Sequence, residues 1–516
     1  MPEKVMKTLY HKILPQWRTC FLSAVLVGFA AHLYKIANWL PNWDSLVFRY
    51  DAQNMLRMGR WFLAAACSLG SFYDLPWING LLAIIFHAVA AVCVCKIFDI
   101  KKGVTAALIG AVVISFPTVT SVMMYNYVAD GYAISFMFAC MAVMFLTGDK
   151  PNYVLAAGMI TLSAAIYQAY ITVAITLILL YLTDQLIFVK KQVSYLISKS
   201  VKFVLTGAAG MILYYLITSV LLKLTGETLL DYQGINSAMS LSEMDVWSSL
   251  YVVLHTAMDY FFDFSQGFRV FPILNCLIFV LTAGLYFISV FKQKIYMSFG
   301  RLLMLVVYAV LLPIGACALA FINSGIDYHN LMKMGYCIFY MFFILLYERM
   351  DFLSPRARNI KSWLVLTLSV VLVWNQIIIA NVSYHKLQMA YEKSFGTLVR
   401  IADRIEQTEN SESCSNILVI GALPGSEAYS ENLPPDMTGT TESYILRADD
   451  ETVRQSVLCS ALNDYCGKEY QFIAGKEKQK LLKHDAIKNM SRWPEENSIA
   501  VIDNVLVIKL GEESEQ

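Results

Sequence analysis

Charge is scarce in this chain. Asp, Glu, Lys and Arg make up 15% of its 516 residues, while apolar residues make up 57%. A water-soluble protein of this length needs more polar surface than that, so a soluble globule is excluded. The net charge of +1 removes the usual signature of a nucleic-acid binder, and none is expected as a partner. No Walker loop, dinucleotide fingerprint or metalloprotease motif occurs, and no spacing of the 7 histidines and 11 cysteines suits zinc. Neither a cofactor nor a resident metal is therefore expected, and no repeat runs through the chain.

What is present is a series of long apolar runs. They predict spans near 18–38, 76–98, 103–117, 131–147, 152–167, 170–187, 203–222, 268–290, 301–322, 333–347 and 362–382. The segment 152–187 is long enough for one tilted helix, but the Tyr167-Gln168-Ala169-Tyr170 break favours two short ones. Cations cluster in alternate loops: Lys4, Lys7, Lys12 and Arg18; Lys96, Lys101 and Lys102; Lys150; Lys190, Lys191, Lys199 and Lys202; Lys292, Lys294 and Arg301; Arg349, Arg356, Arg358 and Lys361. Cations are held on the cytoplasmic side, so this alternation predicts a cytoplasmic amino terminus and an odd number of crossings. No small-residue cleavage site follows the first apolar run, and a retained anchor is expected.

The expectation is an all-α polytopic membrane protein of about eleven helices, with residues 1–382 as the multispan domain. Residues 383–516 form a polar outer tail, where Asn416–Ile420, Ile499–Ile502 and Val505–Ile508 read as strands of a small α/β unit. Cys414, Cys459 and Cys466 fall in this tail, where an oxidising compartment would allow a disulfide.

With this register the longest loops lie outside, and the first of them is the most informative. Asp44 and Asp51 stand just after the first span. At 100° per residue, 50–63 makes an interfacial helix with Arg57 and Arg60 on its polar face. Two arginines there can meet lipid phosphates, Asp51 can cap the helix and Asp44 can be merely solvated. The same set also supplies a proton acceptor and a clamp for a departing phosphate. In the second outer loop Asp130 is flanked by Tyr125 and Tyr132, which suits a sugar with its apolar C–H faces or an ordinary aromatic belt. Gln168 between two tyrosines is placed to bind a hydroxyl or to satisfy a turn, and Lys333 to assist a phosphate or to snorkel. Asp231, Glu243, Asp245, Asp259 and Asp263 make the fourth outer loop, 223–267, acidic, which suits either a bound cation or a solvated surface, and the solvated reading is preferred.

Several motifs carry a family likeness. Pro41-Asn42-Trp43-Asp44-Ser45, Gly59-Arg60-Trp61-Phe62, Leu75-Pro76-Trp77-Ile78-Asn79-Gly80, Ser115-Phe116-Pro117-Thr118, Ala129-Asp130-Gly131-Tyr132 and Ile166-Tyr167-Gln168-Ala169-Tyr170 resemble the bacterial Gtr type II glucosyltransferases. The resemblance covers roughly residues 20–380 and implies a GT-C class glycosyltransferase of the bacterial cytoplasmic membrane. Such an enzyme takes a sugar from a polyprenyl-phosphate donor and adds it, with inversion, to a surface glycan such as O-antigen. A donor synthase and a donor flippase are its candidate partners. It also implies an essential acid after the first span, a position that Asp44 fills with Asp51 in reserve. Were a divalent ion to take part, Asp44 and Asp130 would be its ligands. A multispan transporter or flippase of lipid-linked glycans is the competing reading, and a glycan-binding scaffold a third. Against the transporter stands the placement of the acids at the outer interface instead of mid-span.

Overall fold

The computed structural model describes residues 2–4, 7, 12–230, 245–264, 270–326, 328–423, 451–467 and 469–512. Asp231, Glu243, Asp327 and the side chain of Cys466 lie outside the described residues. The chain divides into two compact units, residues 1–38 with 50–381 and residues 39–49 with 382–516. The short segment 39–49, expected to belong with the multispan domain, is therefore part of the unit that holds the tail.

In the first unit the helices are α1 (Pro15–Ala37), α3 (Leu63–Cys67), α4 (Pro76–Ile97), α5 (Gly103–Ser115), α6 (Pro117–Met124), α7 (Ala129–Thr147), α8 (Tyr153–Ile166), α9 (Ile171–Ile187) and α10 (Val193–Thr225). They continue as α11 (Val246–Phe262), α12 (Val270–Lys292), α13 (Phe299–Ala316), α14 (Cys337–Leu345) and the 53-residue α15 (Pro355–Gln407), which belongs to this unit up to residue 381 and to the second unit from 382 on. The five-residue α2 (Trp43–Val47) belongs to the second unit.

Among the described residues, eight helices are long and apolar enough to cross a membrane. The remaining expected spans are α5 with α6, bent by 41° at Phe116, and two shorter apolar helices, Tyr153–Ile166 and Asn330–Leu345. Pro117 has no N–H to continue α5, which is why that span breaks. Across the break the Phe116 carbonyl accepts Val119 N–H at 2.8 Å. Residues 152–187 form two helices as expected, because Tyr167 adopts extended backbone (φ −153, ψ 108) between α8 and α9. Close packing depends on small residues. A Cβ on Gly110 of α5 would run into the backbone of Cys20 in α1.

A polar cavity of about 970 Å³ is lined by Phe98 after α4, Asp149 after α7, Phe188 after α9, Lys199 in α10, Gln293 after α12 and Glu348 after α14. These helix ends share one face, as the charge alternation requires. Beside it the Asp184 carboxylate, 1% exposed, takes both Nε (2.7 Å) and Nη2 (3.2 Å) of Arg349, whose Nη2 also donates to Phe98 O at 3.0 Å.

In the second unit a four-stranded sheet has the order β2-β1-β4-β3, from β1 (Asn416–Ile420), β2 (Gln471–Phe472), β3 (Ile499–Ile502) and β4 (Val505–Lys509). β1 is parallel to β2 and β4, and β3 is antiparallel to β4. The three strand runs read from the sequence are all present. Alternation along β1 sends Ile417 and Val419 to one apolar cluster and Leu418 and Ile420 to another. The first cluster also takes in Leu398, Ile401 and Ile405 of α15 and Leu46 of α2. Cys414 and Cys459 are both buried and both free thiols.

Two measurements check this architecture. Asp184→Ala would strand a half-buried guanidinium, and a loss of about 3–5 kcal/mol is expected; an unchanged unfolding midpoint in detergent would reject the ion pair as a support. The charge alternation further predicts that a reporter active only in the cytoplasm is silent when fused after Gln516 and that an exported reporter is active there. The reverse result would shift the register by one span.

Candidate functional site

The site in the first unit is built where helices break. The segment 50–63, expected as an interfacial helix, is instead a tight reversal. Gln53 and Gly59 take left-handed backbone (φ 57 and 72), Leu56–Met58 is a single 3₁₀ turn, and Met55 and Arg60 form an antiparallel bridge. Gly59 is required, because a Cβ there would collide with the Tyr214 hydroxyl in a backbone conformation that other residues resist. Asp51 accepts Gln53 N–H at 2.6 Å and so caps this turn and not a helix.

The reversal separates the two arginines, which do not share a helix face. Arg57 points to Glu227 (Nε to Oε2 3.3 Å) with a half-exposed side chain. Arg60 turns inward, where Nη1 donates to Tyr132 Oη at 3.0 Å and the guanidinium lies 5.0 Å above the Tyr167 ring. Tyr132 and Tyr167 stack at 4.3 Å and 11°. The result is a guanidinium held on an aromatic pair, with a hydroxyl fixing its fork.

Gln168 positions this group. Its Nε2 donates to Met58 O at 2.9 Å and to Tyr214 Oη at 3.0 Å, tying the reversal to the α8–α9 break. Phe62 N–H donates to Ala165 O at 3.0 Å and secures the same junction. The turn Gln168–Tyr170 packs against the 3₁₀ segment Asn330–Tyr336, which carries a half-buried Lys333. Thr118 Oγ1 fastens that segment by donating to Asn330 O at 2.8 Å. Tyr125 is half-buried at the end of α6. Next to Tyr336 opens an apolar cavity of about 290 Å³, lined by Phe261, Phe279, Pro313 and Phe339 among others.

Asp130 stands in the first turn of α7, fully buried. Its Oδ1 accepts Gly131 N–H at 2.9 Å, while Oδ2 has no hydrogen-bond partner among the described residues. Asn79, quoted above only as part of a motif, and Asn126 lie in the same region. Asn79 Nδ2 donates to Asn126 O at 3.1 Å, and Asn126 Nδ2 donates to Asp74 at 2.6 Å. Nothing in the sequence singled out Asp74 or Tyr214, since neither stands in a motif. Among the described residues no three His, Cys, Asp or Glu side chains gather as a metal-ligand set.

In the second unit Asp44 sits in the first turn of α2, whose amino end is capped by Asn42 Oδ1 accepting Ser45 N–H at 2.9 Å. The segment is anchored by Leu46 in the apolar cluster and by Arg49, which reaches Asp464 at 2.8 Å and lies 4.4 Å over the Trp39 ring. Burial pushes the Asp44 carboxyl up to about 6. Two of the described acids of the fourth outer loop have local partners. Asp245 caps α11 through Trp247 N–H at 3.0 Å, and Asp259 meets His255 at 2.8 Å.

A family model described as Glucosyl transferase GtrII matches residues 33–347. No curated protein and no solved structure gives a match. The matched stretch contains Asp44, Arg60, Asp130, Tyr132, Gln168 and Lys333.

The divergence of the two arginines predicts unequal effects. Arg60→Ala should weaken use of a phosphate-bearing sugar donor by about tenfold or more, in line with loss of a charge-assisted hydrogen bond. Arg60→Lys should recover part of this, and Arg57→Ala should stay within about twofold, as for an exposed pair. Equal losses at Arg57 and Arg60, measured as kcat/KM for the donor, would reject the assignment.

Proposed function

Since the chain belongs to the glucosyl transferase GtrII family, we propose that it moves glucose from a polyprenyl-phosphate carrier to a surface glycan outside the bacterial cytoplasmic membrane. The observation that carries this reading is the Arg60 guanidinium, held by Tyr132 and Tyr167 at a cluster of helix breaks. A planar cation fixed on aromatic faces suits both halves of such a donor. The guanidinium fork matches phosphate oxygens, and the tyrosine rings match the apolar face of a sugar. The apolar cavity beside Tyr336 offers a berth for prenyl units, which need dry surroundings next to a polar head group.

The reaction is a single in-line displacement. The acceptor hydroxyl oxygen forms its bond to the anomeric carbon as the bond from that carbon to the phosphate oxygen breaks, which inverts the centre. The phosphate leaves as an anion and takes no proton, so one proton acceptor and one phosphate holder suffice. Arg60 holds the phosphate, assisted by Lys333. Asp44 takes the acceptor's proton. Its carboxyl, with a pKa of about 6, is mostly ionised at neutral pH yet more basic than an exposed aspartate. Gln168 holds the reversal that presents Arg60, and Tyr125 and Tyr132 border the sugar. A synthase that charges the carrier and a flippase that delivers it would supply the donor.

The pH profile follows from Asp44. Its pKa is raised, so the ionised base is lost as pH falls through about 6, and transfer should fall along an acid limb centred there. The same shift means that the folded state holds this proton more tightly than the unfolded one, and Asp44 contributes less stability above about pH 6 than below it. Asp44→Asn should abolish transfer without altering insertion or yield. Asp51→Asn should stay active, since the amide oxygen can still accept Gln53 N–H. Purified protein with polyprenyl-phosphate glucose and acceptor glycan decides the matter: an active Asp44→Asn enzyme with an unchanged acid limb removes Asp44 from the chemistry.

A further inference from the structure

Four polar side chains at the amino-terminal ends of α4 and α7 are almost wholly buried: Asp74 (6% exposed), Asn79 (1%), Asn126 (0%) and Asp130 (0%). Their hydrogen bonds fix which way each amide faces. Asn79 must turn its nitrogen to the Asn126 carbonyl, and Asn126 must turn its nitrogen to the Asp74 carboxylate. Both amide oxygens are thereby left facing elsewhere. Asn79 Oδ1, Asn126 Oδ1 and Asp130 Oδ2 are all buried, and none has a hydrogen-bond partner among the described residues. Each such acceptor costs about 1–3 kcal/mol if nothing satisfies it.

Two of these oxygens converge. A Cβ placed on Gly70 would lie 2.5 Å from Asp130 Oδ2 and 2.9 Å from Asn79 Oδ1, so the two oxygens both crowd this glycine and are near enough to each other for one ion to bridge. The charges point the same way. Lys35, 1% exposed, acts electrostatically on Asp74 and offsets one of the two carboxylates. Asp130 has no ion pair among the described residues. A buried carboxyl with no cation beside it either takes up a proton or binds a cation, and a cation would also satisfy the stranded amide oxygen.

We propose that Asn79 Oδ1 and Asp130 Oδ2, with Asp74 and Asn126 beside them, bind a hard divalent cation, Mg²⁺ or Ca²⁺. Carboxylate and amide oxygens are the ligands such ions prefer, and the Cys67 thiol that meets Asp130 is a soft donor that neither ion uses. The ion would cross-link the Gly70 loop, the start of α4 and the start of α7. Tyr132, which orients Arg60, stands two residues beyond Asp130, so the ion would act on donor binding as a positioning device. This inference rests on the buried oxygens alone and holds whichever sugar donor the protein uses.

The test uses full-length protein in detergent, stripped with a chelator and then given MgCl₂, CaCl₂ or NaCl at matched ionic strength. Elemental analysis should recover one bound divalent ion per chain, and the thermal midpoint should rise saturably with that ion and not with NaCl. Gly70→Ala, which presses a methyl against both oxygens, and Asp130→Asn should each abolish both signals. Gly207→Ala, whose added Cβ meets nothing within 4 Å, should keep them. Asn79→Asp adds a carboxylate and should lower the half-saturating concentration, so it remains informative if the other variants fail to fold. Wild-type protein with no retained ion and no shift would overturn the proposal. So would signals that persist in Gly70→Ala and Asp130→Asn, or an affinity not raised in Asn79→Asp.

Discussion

A bilayer core offers the backbone no hydrogen-bond partner, so every interrupted helix must be satisfied by the protein itself. In the first unit the interruptions at Phe116, at 125–128, at 167–170 and at 330–336 are each met by side chains or neighbouring backbone. Thr118 serves the Asn330 carbonyl, Tyr328 the Ala316 carbonyl and Gln168 the Met58 carbonyl. Groups suited to covering broken backbone, hydroxyls and amides with aromatic bodies, are also those that bind polar ligands. The candidate site stands on these breaks for that reason. The constraint that forbids loose polar groups in lipid concentrates them at one place.

Within that place the surroundings decide what a charge can do. Arg57 and Arg60 are three residues apart and chemically identical, yet one meets water and Glu227 while the other lies against two stacked tyrosines. Electrostatic attraction to an aromatic face or to a phosphate is far stronger where water is excluded, so only Arg60 is placed to add much binding energy. At the opposite ends of the helices the Asp184–Arg349 pair shows a second use of buried charge. There both partners are consumed by each other and by the Phe98 carbonyl, joining three helix ends. The contrast separates a cation that locks the scaffold from the one proposed to hold a phosphate.

The second unit follows a different rule. Its sheet alternates apolar side chains onto two faces, and the long α15 covers one of them through Leu398, Ile401 and Ile405. Into the same cluster goes Leu46, from a segment more than 300 residues earlier in the chain. A short loop after the first helix thereby gains a hydrophobic anchor, an asparagine cap and the Arg49–Asp464 pair. Those three contacts hold the α2 turn that carries Asp44.

Apolar runs, their lengths and the alternation of lysine and arginine were enough to read the helical membrane fold, the α8–α9 break and the strands of the tail, because each is dictated by local periodicity or by charge beside an apolar run. The motifs around Asp44, Arg60, Asp130 and Gln168 were enough to place the chain among glucosyltransferases. The 50–63 segment was misread for a physical reason. A 100° periodicity of polar residues is blind to left-handed backbone at Gln53 and Gly59, and once the helix is gone the shared face of Arg57 and Arg60 goes with it. Asp74, Asn79 and Asn126 were equally silent, since a buried polar residue looks in sequence like any exposed one. Their meaning lies in which oxygen is left without a donor, and that depends on contacts between helices 47 to 52 residues apart. Composition and pattern determined the solvent, the class of fold and the family. Only tertiary packing decided which of several similar charges is buried, partnered or left to bind, because that choice is made by residues far away in the chain.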